Sequence, residues 1–390
     1  MSAPASASVL GITIAAPEQA ASVEHGLRGD LERLGLGDRV ELSIERAPPP
    51  SHAGDLAATP EAAEGAPIVR ARLSAKAFAQ LTPDFDTLAI GQRLGLDILA
   101  RDADLDLEIA VAMLAAPQAF HFPSVDEWVS AVRLRRHTAQ AARRTTLAFD
   151  TEAAERPAEY WHYDEDHGFL LNPGVDLIEA LERTTQPEHS GKLYSFSCYR
   201  ATEYVIQLAL ARELRLVNPA LYERLCEQCR RDAIRSGRFH DVFLYEHGSM
   251  DHPLPPRYYV AGDRLWFRNP DERSADVAGF EGSWVFYHGN AQFTNFWKRS
   301  TAFSFTAKCL EIHHWRDGAV PGASGELTMD ESIVEARVQQ TLRDPAAVDR
   351  VLERMVRLRD PRGVYAQGGC IDSTRESLRW VRPATADIRL

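Results

Sequence analysis

Residues 193–216 read LYSFSCYRATEYVIQLALARELRL, and the fold turns on how that stretch divides. Leu193 to Phe196 is a short extended run, after which Ala201, Val205, Leu208 and Ala209 recur at the spacing of one face of a buried helix. Cys198 therefore falls at a strand-to-helix junction, at or just before the first helical turn. The free amides and the macrodipole of a helix start favour a thiolate there, and the same amides can hold an oxyanion. Downstream, Asn218 and Pro219 cap a further helix that carries Leu221, Leu225, Cys229 and Ala233 on one face. Four aromatic-rich runs follow and read as strands: FHDVFLY (239–245), RYYV (257–260), DRLWFRNPD (263–271) and SWVFYHG (283–289). The last is apolar on both faces, as a central buried strand is.

Working outward, Ser124 and Glu127 form a capping-box pattern, in which the serine caps the amide three residues on and the glutamate reaches back. Val125, Trp128, Val129 and Val132 continue it at helical spacing. A helix is predicted at Val175–Glu182 and helix again over Asp330–Asp360. Nearer the N-terminus, Val9–Ile14, Val40–Ile44 and Ile68–Leu73 read as strands, Ala47–Pro67 as a Pro/Ala/Gly loop, and Leu88–Leu114 as helical in part. No chemical motif falls in this region. The expected division is an N-terminal α/β unit over 1–118 and a second domain over 119–390.

Composition narrows the function. A formal net charge of −12 opposes general nucleic-acid binding, which needs concentrated positive charge. The one basic run, Arg133–Arg144, lies on a predicted helix and fits a solvated face or pairing with nearby acids. No apolar stretch approaches a membrane span, and no basic leader precedes the first apolar run. The five cysteines are odd in number and irregularly spaced, which suits free thiols in a reducing, cytoplasmic compartment. Cys226 and Cys229 form a CxxC with no second pair to complete a metal site. Cys370, after a Gly-Gly turn, has no base near it in sequence, and His313 and His314 read as strand neighbours pointing apart.

Five segments in order, SVDEWVSAVRLRRHTAQAA (124–142), YW…GFLL (160–171), LYSFSCYRA (193–201), GDRLWFRNPD (262–271) and FEGSWVFYHGN (280–290), resemble the bacterial spore-coat protein-glutamine gamma-glutamyltransferases, or transglutaminases. The likeness runs from about Phe120 to about Asn295. It implies an α+β fold with a papain-like core, a nucleophile helix packed on an antiparallel sheet, and the N-terminal α/β unit in addition. It also implies a thiol nucleophile at Cys198 that attacks a glutamine carboxamide, releases ammonia and passes the acyl group to a lysine amine. No cofactor and no metal are implied. The partners would be a protein or peptide bearing glutamine and an amine donor, with no nucleic acid and no membrane.

This sequence departs from the family where it places glutamates, for Ser197 and Ser283 stand at those two positions. A serine hydroxyl is too weak a base to take a thiol proton near neutral pH. Glu281 lies two residues before Ser283 and would share its strand face. His288 has better basicity near neutrality but falls on the opposite face unless Gly282 introduces a bulge. Two other readings stay open: a catalytically silent scaffold that binds a protein through the N-terminal unit, and a thiol peptidase or amidohydrolase that uses water as acceptor.

Overall fold

The computed structural model describes residues 8–17, 19–47, 65–149, 154–233, 236–297, 302–323, 325–360 and 366–390. Ile12–Ala15 (β1), Val40–Arg46 (β2) and Pro67–Leu73 (β3) form an antiparallel set, because alternate residues such as Ile12, Ile14, Val69 and Ala71 can bury one face together. Most of the expected 47–67 loop, residues 48–64, lies outside the described residues. Of the 88–114 region, Ile90–Leu94 and Asp102–Leu114 (α1) are helical, and α1 is buried throughout its second half. Phe120–Phe122 (β4) pairs parallel with β1 and completes the sheet in the order β2-β3-β1-β4. β4 follows residue 118, so the first sheet draws a strand from beyond the expected division. One apolar core runs from Ile12 and Ile14 to Val285 and Tyr287 of the second sheet.

Val125–Arg144 (α2) starts as predicted, with the Ser124 hydroxyl accepting from the Glu127 amide at 3.1 Å. The other half of the capping box does not form. The Glu127 carboxylate turns instead to the C-terminal segment, accepting from the amides of Val381 at 2.8 Å and Arg382 at 3.1 Å and from the Thr385 hydroxyl at 2.5 Å. The basic run is paired: Arg133 with Glu213, Arg135 with Asp263 and Arg136 with Asp106. Cys198–Val217 (α3) lies against α2 and is buried on nearly all sides from Ala201 to Ala211, wider than the single predicted face.

The second sheet contains Leu244–His247 (β5), Arg264–Arg268 (β6), Gly282–Gly289 (β7), Gln292–Phe293 (β8), Phe303–Ser304 (β9) and Arg375–Leu378 (β10). The order is β9-β8-β7-β6-β10-β5, and every pairing is antiparallel. α3 packs on β7: Phe286 is buried among Val205 and its neighbours on α3, and the Tyr199 ring meets Trp284 edge-on at 5.3 Å. The α+β class and the helix on an antiparallel sheet are thus both present.

Three strand assignments are corrected. FHDVFLY is mostly helix, Ser236–Phe243, with Phe239 and Phe243 one turn apart and both buried; only Leu244 onward is strand. RYYV is not a strand, since its aromatics anchor a loop: the Tyr258 hydroxyl donates to the Ala112 carbonyl at 3.0 Å and the Tyr259 amide to the Thr87 hydroxyl at 2.7 Å. His313 and His314 lie on a helix, Phe305–Gly318 (α4), capped by Ser304. The helix expected over 330–360 is two, Glu331–Leu342 (α5) and Pro345–Met355 (α6), divided before Pro345, where Asp344 caps the second. Among the described residues no helix is long and apolar enough to cross a membrane.

Candidate active site

The two residues Ser195–Phe196 pair with Ala148–Phe149 as a short parallel bridge, and the chain turns directly into α3. Ser197 is the N-cap, with its hydroxyl accepting from the Arg200 amide at 3.2 Å. Cys198 is then the first helical residue and is partly exposed, whereas Cys226, Cys229, Cys309 and Cys370 are buried. The start of α3 is held over the sheet by Tyr199 against Trp284 and by the buried Arg264 guanidinium, 4.5 Å from the Tyr199 ring centre and 4.4 Å from that of Trp284. Cys198 itself lines a cleft.

That cleft has a volume of about 340 Å³. On the sheet side its wall includes Ser283, Trp284 and Asn295 beside Cys198; on the other side it is made by α4 and α5. Lys308 of α4 is 4% exposed, pairs with Glu311 at 2.8 Å and lies 4.4 Å from the Phe303 ring centre. These α4 and α5 residues were missed in the sequence. The available signal was the four-residue spacing of Val334, Val338 and Leu342 within the otherwise polar ESIVEARVQQTL.

Neither expected proton acceptor lines the cleft, and the two stand differently toward it. Glu281 is exposed and flanked on both sides by cleft residues, Gly279 and Phe280 before it and Gly282 and Ser283 after. Its carboxylate accepts from the Gly279 amide at 3.3 Å. His288 lies four residues beyond Trp284, roughly 13 Å along the strand. It is buried, its Nε2 sits 3.0 Å from the Thr294 hydroxyl, and burial, aided by the Arg143 charge, pushes its pKa down to about 3. Ser283 and His288 do occupy opposite faces: Phe286, in line with His288, packs with α3, whereas Val285, in line with Ser283, joins the other core. Gly282 carries no bulge, since Arg268 stands opposite it in unbroken register; the shift falls between Tyr287 and Gly289. Gly282 is glycine for another reason, because a Cβ there would come within 2.1 Å of the Trp266 indole nitrogen.

The remaining thiols are buried. Burial pushes Cys229 up to about 12 and raises Cys226, while Cys370 lies with its Sγ 3.8 Å from that of Cys309 in full burial. No cluster of three or more His, Cys, Asp or Glu suited to a metal ion occurs among the described residues.

The sequence model of the protein-glutamine gamma-glutamyltransferases matches residues 93–388, well over half of the chain. The chain belongs to the protein-glutamine gamma-glutamyltransferase family. Among proteins of that family, it is 24% identical over 168 residues to the protein-glutamine gamma-glutamyltransferase of Bacillus licheniformis, a match covering 42% of this chain and 62% of that protein. The match therefore spans less than two thirds of its relative's length. A transglutaminase from Geobacillus stearothermophilus, without its C-terminal extension, is similar with a TM-score of 0.36 and 18% identity, over 56% of this chain and 98% of that one. The family match takes in α1, both walls of the cleft and the C-terminal helices, and leaves β1, β2 and β3 outside.

Proposed function

We propose that this chain catalyses acyl transfer from a glutamine carboxamide, with Cys198 as the nucleophile. The observation that carries this reading is that, of five thiols, Cys198 alone opens on a cleft, as the first residue of a buried 20-residue helix. The Cys198 sulfur bonds to the carboxamide carbon, the carbonyl electron pair moves to oxygen, and the free amides of the first turn of α3 stabilise that charge. Collapse expels ammonia and leaves a thioester, which an amine resolves to an isopeptide or water to glutamate.

Glu281 is the proposed proton acceptor, because its exposed carboxylate sits on a segment that borders the cleft on both sides. His288, neutral, buried and bonded to Thr294, is the weaker candidate. The proposed partners are a glutamine-bearing protein or peptide and an amine donor, the proposed setting is the reducing cytoplasm, and the proposed division is 1–118 and 119–390.

Cys198→Ala is expected to abolish ammonia release and amine incorporation from glutamine peptides while the thermal melt is retained. Glu281→Gln should lower kcat by about a hundredfold. Undiminished turnover by Cys198→Ala would refute the reading. Silence of the unmodified chain toward every glutamine peptide would favour the scaffold alternative, to which the commitment of the Ser197 hydroxyl to the helix cap lends support.

A further inference from the structure

The wall of the cleft across from the sheet is an apolar stripe that outruns its own packing. Val334, Val338 and Leu342 follow one another every four residues on α5 and all three line the cleft. At the inner end the stripe is closed: Val334 is 5% exposed and packs so tightly on α4 that a Cβ on Gly318 would come within 2.5 Å of its methyl group. Two turns further on, Leu342 is 42% exposed. Single exposed leucines are ordinary on protein surfaces. This one continues a stripe on the wall of a concave site, and Trp297, 36% exposed, lines the same cleft. Glu331 and Glu335 lie on the same side of α5 and the Lys308–Glu311 pair stands on α4, so the wall is apolar along its centre and charged beside it.

We infer that the outer part of this wall, Val338 and Leu342, is a subsite for an apolar side chain neighbouring the glutamine of the acyl donor. The inference rests on the acyl-transfer reading for the glutamine itself. The occupant is an extended peptide, because a cleft that begins at the nucleophile and continues along α5 has room beyond one side chain. An acidic neighbour is disfavoured there, because its charge would lose solvation against the apolar surface.

The test separates binding from turnover. Glutamine peptides that differ at one neighbouring position, leucine, serine or glutamate, are titrated against the Cys198→Ala chain by tryptophan fluorescence, and their ammonia release is followed with the unmodified chain. The leucine peptide is expected to bind about tenfold more tightly than the serine peptide, with the glutamate peptide weakest and kcat/KM in the same order. Leu342→Ser, at an exposed position where folding is not at stake, should reduce the leucine advantage severalfold, and Val338→Ser should do the same. Equal binding of all three peptides, or a leucine advantage untouched by both substitutions, overturns the subsite. Graded binding with no turnover by the unmodified chain removes the catalytic reading and leaves the subsite standing.

Discussion

Ser197 commits its hydroxyl to the amide of Arg200, so the residue before Cys198 serves as the cap of its helix. A serine N-cap satisfies one of the orphan amides of the first turn, and Ser197→Ala should cost about 1 kcal/mol, read as a lower urea midpoint with an unchanged slope. Ser283 is different, since it lines the same cleft as Cys198 and caps no helix. Ser283→Glu is expected to raise the rate of ammonia release, by up to about a hundredfold if the new carboxylate takes the thiol proton. An unchanged or lower rate would show that the base lies elsewhere. At this scale the placement of Cys198 at a helix start was legible because its signals are local: an extended run, a cap and an apolar period within a few residues of one another. Lys308, Val338 and Leu342 were not, because nothing near them in sequence says that α4 and α5 fold back to face a thiol more than a hundred positions earlier.

The β7–β8 hairpin shows how one element is held by another. Gly289, Asn290 and Ala291 all take positive φ, at 93°, 48° and 56°, a region that side chains other than glycine seldom adopt. Glu108 of α1 supports the turn by accepting from the Asn290 amide at 2.8 Å and the Tyr287 hydroxyl at 3.2 Å. Burial pushes its pKa up to about 7 from 4.5. The folded chain therefore binds this proton more tightly than the unfolded one, so the contribution is complete below pH 4.5 and is lost as the pH rises through about 7. Glu108→Gln keeps an acceptor oxygen and removes the titration. Its urea midpoint relative to the parent should rise between pH 5 and pH 8, and a difference independent of pH would contradict the assignment. The element-scale misreadings have a common cause. FHDVFLY and RYYV are rich in β-favouring aromatics, but burial of Phe239 against Phe243 one turn away, and of Tyr258 and Tyr259 against α1 and Thr87, outweighed that propensity.

For the molecule as a whole, the distribution of thiols gives a simple measurement. Four of the five cysteines are buried and one opens on the cleft. A small disulfide reagent should label one thiol in the native protein and five after denaturation, with the native label on Cys198 by peptide mapping. More than one fast-reacting native thiol would place a second cysteine within reach of solvent. At this scale the class was legible from alternating helical and extended patterns, but the strand order was not. β10 enters the second sheet between β6 and β5, where His247 and Ser377, 130 residues apart, come within 2.8 Å side chain to side chain. Periodicity carries no information about such a partner.

That late strand also bears on how the protein is made. During synthesis the thiol leaves the ribosome long before the segment that joins the two parts of its supporting sheet. At roughly 5–20 residues per second, the interval between residue 198 and residue 378 is on the order of ten to forty seconds. Throughout that interval β5 lacks its partner β10, and the sheet beneath the helix stays in two pieces. A nascent chain therefore carries the Cys198 thiol over an unfinished sheet until the residues of β10 have emerged.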